Sequence, residues 1–228
     1  MPSGSRTKTA AIALAALLVA SALGYWAYGE HRKRELHNAV VSLVKDTSAR
    51  LREALSIEAG PPSADPPETV RKLDDHAKEV DRLLQELHRM NAAPDQALVD
   101  AADDYVLTGR EILRKQASSH RYRLLLSDST QALLDHMRAD DRSGSWVREA
   151  VRAKERFEKD YRDYKLAVEA FGSLLESFPA SRAKLAAHVD AALLLEEGLV
   201  REARKRALET SKQTADEIEK TRRLASAR

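Results

Sequence analysis

The sequence predicts an all-α protein in which a single amino-terminal transmembrane helix is followed by an elongated antiparallel helical bundle with coiled-coil seams. An uncharged, mostly apolar run covers residues 9–29, between Lys8 and Glu30. Downstream, apolar residues recur at alternating steps of three and four, and no period-two strand pattern of any length interrupts them. The 228 residues include only 8 Gly and 7 Pro, a composition that is typical of long helices.

The run over residues 9–29 is the predicted transmembrane helix, a signal-anchor preceded by a short basic tail over residues 1–8. About 20 apolar residues are enough for a helix to cross the hydrocarbon core of a bilayer. Tyr25, Trp26 and Tyr28 lie at one end of the run, where an interfacial aromatic belt is expected. The predicted partner of residues 9–29 is therefore the lipid bilayer.

A cleavable signal peptide is the alternative, because Ala20-Ser21-Ala22 fits the small-x-small pattern of a cleavage site. The apolar run continues beyond Ala22, which favours the uncleaved anchor. The cluster Arg32-Lys33-Arg34 favours a cytoplasmic carboxy-terminal domain, whereas a short basic tail directly before an apolar helix is typical of a signal-anchor that exports the downstream chain. We expect a single-pass protein of the cell inner membrane whose bulk is periplasmic rather than cytoplasmic.

Residues 30–195 form the predicted helical bundle, which is divided by four breaks. Pro, Gly and capping residues place these breaks at 59–67, 91–94, 140–145 and 178–181. Two segments carry the clearest apolar seams. The first seam is Val70, Leu73, Ala77, Val80, Leu84 and Leu87, and the second is Phe157, Tyr161, Tyr164, Val168, Phe171, Leu175 and Phe178. This heptad-like spacing predicts core packing against antiparallel neighbours.

Residues 196–228 are predicted to form a charged carboxy-terminal helix that projects beyond the bundle or pairs with a second chain. Apolar residues are sparse there, and pairs such as Glu197–Arg201 support a helix by only a few tenths of a kcal/mol. Residues 198–228 are basic, whereas residues 58–104 are acidic, within a net charge of +2. Aromatic residues do not alternate with the basic ones, which argues against nucleic acid as a partner.

The sequence predicts no catalytic, cofactor-binding or metal-binding residue, and no enzyme. Cys is absent, which excludes disulfides and thiolate ligands. The nucleophile-elbow, phosphate-loop and dinucleotide-binding patterns are missing, and no His pair has the spacing of an HExxH zinc site. A small polar pocket around Tyr161 and Tyr164 is the alternative to pure core packing there, since a buried hydroxyl group needs a partner. The histidines are expected to be solvated on charged helices: His31, His37, His76, His88, His120, His136 and His188.

The segment Asp104-Tyr105-Val106-Leu107-Thr108-Gly109-Arg110-Glu111 resembles a Tyr-Leu-Leu-Thr-Gly-acidic segment of the extracytoplasmic helical sensor domains of bacterial histidine kinases and chemoreceptors. Those domains also follow a membrane helix and form antiparallel bundles, so the resemblance implies an extracytoplasmic sensory bundle. The sequence departs from those receptors because it has no second membrane helix and no kinase domain. We therefore expect no complete receptor, and no ligand site is carried over.

The function predicted from these features is that of a membrane-anchored scaffold or adaptor, which acts by protein–protein interaction or self-association through its helix faces. The alternative is an extracytoplasmic helical sensory or ligand-binding domain that works with a separate signalling partner. No cofactor is expected in either case.

Overall fold

The computed structural model describes the backbone of residues 4–61, 65–139 and 143–226, together with their side chains except those of residues 4–20, Ala22 and Ser226. This described chain consists of α-helices, one short 3₁₀ turn and their connections, without a strand. The helices are α1 (Gly4–Ala59), α2 (Pro66–His88), α3 (Gln96–Arg138), α4 (Gly144–Ala186) and α5 (Glu197–Ser226), and the 3₁₀ turn is Ala191–Leu193. The predicted all-α fold is confirmed.

Three of the predicted breaks coincide with connections between helices, and the helix after each one begins at a capping side chain. Asp65 and Asp95 each accept a hydrogen bond from the backbone N–H three residues later, at 3.0 and 3.2 Å. Ser143 does the same for α4, where its hydroxyl oxygen accepts from the N–H of Trp146 at 3.3 Å. These side chains satisfy N–H groups that have no partner within the first turn of a helix.

The fourth predicted break, at 178–181, is wrong, because α4 continues through Pro179 without interruption. A proline inside a helix removes one backbone hydrogen bond and crowds the carbonyl group four residues earlier. Pro179 lies on the exposed side of α4, while Phe178 and Leu185 are fully buried on the other side. Burial of these apolar side chains outweighs the cost of the proline. The connection to the next helix lies instead at residues 187–196.

Helices α1, α3 and α5 run in one direction, and α2 and α4 run in the opposite one. Pairs of polar side chains between neighbouring helices establish these directions, because residue numbers rise on one helix while they fall on its neighbour. Between α2 and α3 the pairs are His88–Asp103, Asp81–Arg110 and Asp74–Arg121. Between α4 and α5 they are Glu176–Arg204 and Glu158–Arg222. Consecutive helices are therefore antiparallel, as the short connections predict.

The bundle has two hydrophobic cores in series. The larger core lies among α1, α2, α3 and α4 and includes the beginning of α5. Beyond the end of α1 at Ala59, helices α3, α4 and α5 continue around a smaller core, which consists of Leu126, Leu133, Phe157, Tyr164, Val168 and Ile218. Helices α3 and α4 have 43 residues each, about 64 Å of helix, and span both cores. The molecule is a rod that changes from four helices to three part-way along its length.

Helix α5 lies against α4 and α1, rather than projecting as expected for residues 196–228. Its buried side chains include Val200, Ala203, Ala207 and Ile218. Small side chains such as those of alanine let two helix axes approach closely, although they add little to the apolar density of the sequence. The low apolar density of this segment therefore does not indicate that α5 packs against the bundle.

Helix α1 is continuous from Gly4, through the predicted transmembrane segment 9–29, to Ala59. Its first buried side chain in the bundle is Leu36. The side chains of residues 9–20 and Ala22, which make up most of the predicted span, lie outside the described part. Among the residues whose side chains the structure describes, no helix is both long enough and apolar enough to cross a membrane.

The hydroxyl group of Tyr105 connects three parts of the chain inside the larger core. Tyr105 is fully buried; its Oη lies 2.8 Å from Ser48 Oγ on α1 and accepts a hydrogen bond from the Leu195 N–H at 3.1 Å. Its ring contacts Phe178 of α4, with ring centroids 5.2 Å apart. Arg182 Nε donates to the carbonyl oxygen of Leu195 at 2.8 Å. Both backbone polar groups of Leu195, in the connection between α4 and α5, are thereby fixed.

Helix α3 lies against Leu51 of α1 at Gly109, where an added Cβ atom would force the Leu51 side chain to shift. A Cβ atom at position 109 would lie 2.9 Å from Leu51 Cδ1 and 3.5 Å from Thr47 Cγ2. Gly172 of α4 is also buried inside a helix, yet a Cβ atom there would meet no neighbour within 4 Å. These two glycines form a matched pair for testing the contact between α1 and α3.

We expect Gly109→Ala to lower the free energy of unfolding by about 1 kcal/mol, because overpacking against Leu51 outweighs the gain in helix propensity. Gly172→Ala gains the same propensity without a clash and should raise the free energy of unfolding by about 0.5–1 kcal/mol. Urea unfolding of the full chain in detergent, followed by circular dichroism, measures both. In a Leu51→Ala background Gly109→Ala should become stabilising. Equal effects of the two single substitutions would contradict the close approach.

Tyr105→Phe should lower the free energy of unfolding by about 1–3 kcal/mol, because the Leu195 N–H and the Ser48 hydroxyl group lose their buried partner. Tyr164→Phe is the control: the Tyr164 hydroxyl group donates to Thr214 Oγ1 only at 3.5 Å, and its removal should cost less than about 0.5 kcal/mol. The same unfolding experiment compares the two variants. Losses of equal size would mean that Tyr105 contributes through its ring alone.

Candidate functional site

A wide cleft lies where the bundle changes from four helices to three, and we call it the step cleft. Helix α1 ends at Ala59 while α3 and α5 continue, so their facing sides are left partly uncovered. The step cleft has a volume of about 440 Å³. Its lining side chains come from the end of α1, the start of α2, the middle of α3 and α5, and they include Ile57, Glu58, Thr69, His120, Arg123, Leu124, Ser127, Arg206, Thr210 and Gln213.

A carboxylate–imidazole pair forms one wall of the step cleft. His120 Nε2 lies 2.9 Å from Glu58 Oε2, and the two side chains are only 20% and 11% exposed. The partners are 62 residues apart in sequence, so only the packing of α3 against α1 brings them together. The expectation that His120 is solvated is therefore wrong.

A small pocket lies beside this pair and reaches towards Tyr164. Its volume of about 20 Å³ is enough for one water molecule, and Ser119 and Thr210 are among its polar lining residues. Burial raises the pKa of the Tyr164 phenol, and the hydrogen bond to Thr214 and then the nearby positive charge of Arg123 partly oppose that shift. The sequence suggested a polar pocket around Tyr161 and Tyr164, and of these two residues only Tyr164 lines this pocket.

The two guanidinium groups of the step cleft differ in their partners. Arg206 is paired along α5 with Glu202 at 3.2 Å and with Glu209 at 3.6 Å. Arg123 is exposed, and no carboxylate of the described residues lies within ion-pair distance of it. The step cleft therefore contains one carboxylate that is already bonded to a histidine and one guanidinium group that has no anionic partner in the described chain.

The hydroxyl groups of the step cleft are not hydrogen-bonded to its histidine in the described chain. An activated nucleophile needs a base within hydrogen-bond reach, and no described Ser or Thr hydroxyl group is hydrogen-bonded to His120. Ser119, the nearest in sequence, donates to the backbone carbonyl of Gln116 instead, at 2.8 Å. Within the described part of the chain, no group of three or more His, Asp or Glu residues could hold a metal ion.

A second candidate surface is the exposed aromatic belt of α1. Leu23, Tyr25, Trp26 and Tyr28 all face solvent, with Tyr25 83% and Trp26 67% exposed. Arg32 Nε donates to the hydroxyl oxygen of Tyr28 at 2.9 Å. Large exposed apolar side chains that are grouped in this way mark an interaction site in a folded protein.

Other histidines also join neighbouring helices. His88 Nε2 lies 2.5 Å from Asp103 Oδ1, and His136 stacks on Trp146, with Nε2 2.8 Å from that residue's carbonyl oxygen. These contacts connect α2 to α3 and α3 to α4, although His88 itself remains exposed. His31, His37 and His188 are exposed, in agreement with the prediction.

The segment 104–111, which resembles part of bacterial sensor domains, contributes to packing in this structure. Asp104 accepts a hydrogen bond from Lys184 Nζ at 2.8 Å, Thr108 Oγ1 donates to the backbone carbonyl of Asp104, and Gly109 contacts α1. Tyr105 holds the core together as described above. Comparison of the chain with known protein families, with curated proteins and with solved structures gave no match.

His76 is the histidine whose environment predicts a dependence of stability on pH. Burial lowers the pKa of His76, and Arg50 and Lys72 lower it further, whereas Glu53 and Asp75 oppose the shift. Glu53 Oε2 lies 3.5 Å from His76 Nε2 but is itself mostly exposed, so its attraction is screened and burial prevails. The folded state therefore favours neutral His76.

We expect the stabilisation from neutral His76 to be present above the pKa of unfolded histidine, about 6.5, and to be lost as the pH falls through the lower folded value. Urea unfolding at pH 7.5 and pH 5.0 measures this loss. His76→Gln should reduce the difference in unfolding free energy between the two pH values. His188→Gln, at an exposed position, is the control and should leave it unchanged. An unaltered difference in His76→Gln would contradict the assignment.

Proposed function

We propose that this protein is a membrane-anchored helical scaffold or adaptor that acts by protein–protein interaction. The observation that carries the proposal is the continuity of α1, which runs without a break from the apolar run over 9–29 to the core of the bundle. A single helix that belongs to both parts would hold the bundle at the membrane without a flexible linker.

The exposed end of α1 supports the anchor. Residues 23–29 are exposed on all sides of the helix, and a helix that is apolar on all sides is typical of a membrane span. Tyr25, Trp26 and Tyr28 have the amphipathic rings that favour the level of the lipid headgroups. Arg32 also lies over the ring of Tyr28, 5.4 Å from its centroid, and can extend towards the headgroups from there.

The spacing along α1 supports a bundle held close to the bilayer. Leu36, the first buried residue of the core, lies eight positions after Tyr28, which corresponds to about 12 Å of helix. Helices α3 and α4 would then present their outer faces over about 64 Å. Val147 and Val151 are exposed one turn apart on α4, and such positions suit pairing with a helix of a partner or of a second copy.

The proposed location is the inner membrane with a single pass, and the bundle is proposed to lie on the extracytoplasmic side. A short basic tail before an apolar helix supports this orientation. Separate carboxy-terminal fusions to alkaline phosphatase and to a fluorescent protein test it: phosphatase activity without fluorescence is expected. Fluorescence without phosphatase activity would place the bundle in the cytoplasm and overturn the orientation.

A sensory bundle that binds a small molecule is the second candidate function. The step cleft favours it, since a volume of about 440 Å³ lies within the usual range of ligand sites, about 300–1,000 Å³. The scaffold remains the first proposal, because the long helical faces dominate the surface of the rod.

If residues 9–29 span the membrane as proposed, the full chain should stay in the membrane fraction after alkaline carbonate extraction. A Leu17→Arg, Leu18→Arg double variant should be released, because each charge near the centre of a membrane helix costs about 2.5–3.5 kcal/mol. Leu166→Arg, at an exposed position on α4, is the matched control and should behave like the wild type. Extraction of the wild type would overturn the anchor, and a mature chain that lacks residues 1–22 by mass spectrometry would show cleavage instead.

A further inference from the structure

We propose that the step cleft binds a small organic carboxylate and that Arg123 is its anion-binding group. This inference rests on the second candidate function and names the class of ligand for it. The anchor and the scaffold do not depend on it.

The charges of the step cleft favour an anionic ligand. One carboxylate, Glu58, faces two guanidinium groups, and that carboxylate is already bonded to His120 at 2.9 Å. Arg206 is neutralised by Glu202 and Glu209 on its own helix. Arg123 is left as a planar donor whose geometry matches a carboxylate, with which it can form two parallel hydrogen bonds.

The other lining residues indicate which groups the rest of the ligand carries. Ile57 and Leu124 supply apolar contact, while Ser127, Thr210 and Gln213 supply hydroxyl and amide groups. Such a mixture of apolar walls and a few polar groups is usual for small-molecule sites. The ligand is thus a small acid with a short apolar body and a second polar group.

A carboxylate fits this cleft better than a phosphate does. Phosphate sites commonly use the free N–H groups at a helix amino terminus. The helix that begins at the cleft is α2, whose first residues Pro66 and Pro67 have no N–H. The N–H of Glu68 is already bonded, because it donates to the side chain of Asp65 at 3.0 Å. Only one unpaired guanidinium group then remains, which matches a single carboxylate.

Thermal unfolding of the full chain in detergent tests the proposal. The midpoint is measured in sodium benzoate, sodium succinate or sodium acetate and compared with sodium chloride at equal ionic strength. At least one of these carboxylates should raise the midpoint temperature of unfolding in a saturable way. The expected rise is about 3–6 °C at a carboxylate concentration of ten times its dissociation constant. Arg123→Gln should weaken the binding of that carboxylate at least tenfold, without changing the midpoint temperature in sodium chloride. Lys115→Gln, which removes a positive charge elsewhere on α3, is the control and should bind like the wild type.

Arg123→Lys keeps the charge but loses the planar pair of donors, and it should also weaken binding. This second variant decides the outcome if Arg123→Gln does not fold. A saturable shift with sodium phosphate but with none of the carboxylates would overturn the ligand class. Absence of any saturable shift, or a shift that both Arg123 variants retain, would overturn the site, while the carbonate extraction would still test the anchored scaffold separately.

Discussion

The buried hydroxyl group of Tyr105 is the interaction on which the arrangement of the helices depends. It lies within hydrogen-bond distance of Ser48 on α1 and of the Leu195 N–H before α5, while the Tyr105 ring packs on Phe178 of α4. A buried polar group without a partner costs about 1–3 kcal/mol, so each of these groups restricts where the others can lie. Burial also raises the pKa of the Tyr105 phenol, which keeps it neutral and able to hydrogen-bond in ordinary conditions.

The position of Leu195 determines where α5 begins, and that position leads to the change in helix number along the rod. Helix α5 begins beside α1, where Arg52 pairs with Glu196 at 3.1 Å, and continues past Ala59. The two helices overlap only briefly, so the surface of α3 is left partly uncovered at the point of change. The step cleft is a direct consequence of this geometry.

Three of the four breaks predicted from the sequence, at 59–67, 91–94 and 140–145, coincide with connections between helices, because prolines and capping residues act locally. The sequence was misleading at Pro179, where the local cost of a proline is smaller than the burial of Phe178 and Leu185 on the same helix. The hydrogen bond between Glu58 and His120 had no signal in the sequence, since nothing local relates residues 62 positions apart. The step cleft arises from packing and could be found only in three dimensions.

In the proposed anchored protein, α1 is one rigid helix from the bilayer to the core of the bundle. Because the chain has no Cys, spin labels can be attached at Ala27→Cys and Ser56→Cys, two exposed positions, and their distance measured by pulsed electron spin resonance in lipid nanodiscs. A continuous helix over 29 residues predicts one narrow distribution near about 44 Å. A broad distribution, or a clearly shorter distance, would contradict a rigid connection between anchor and bundle.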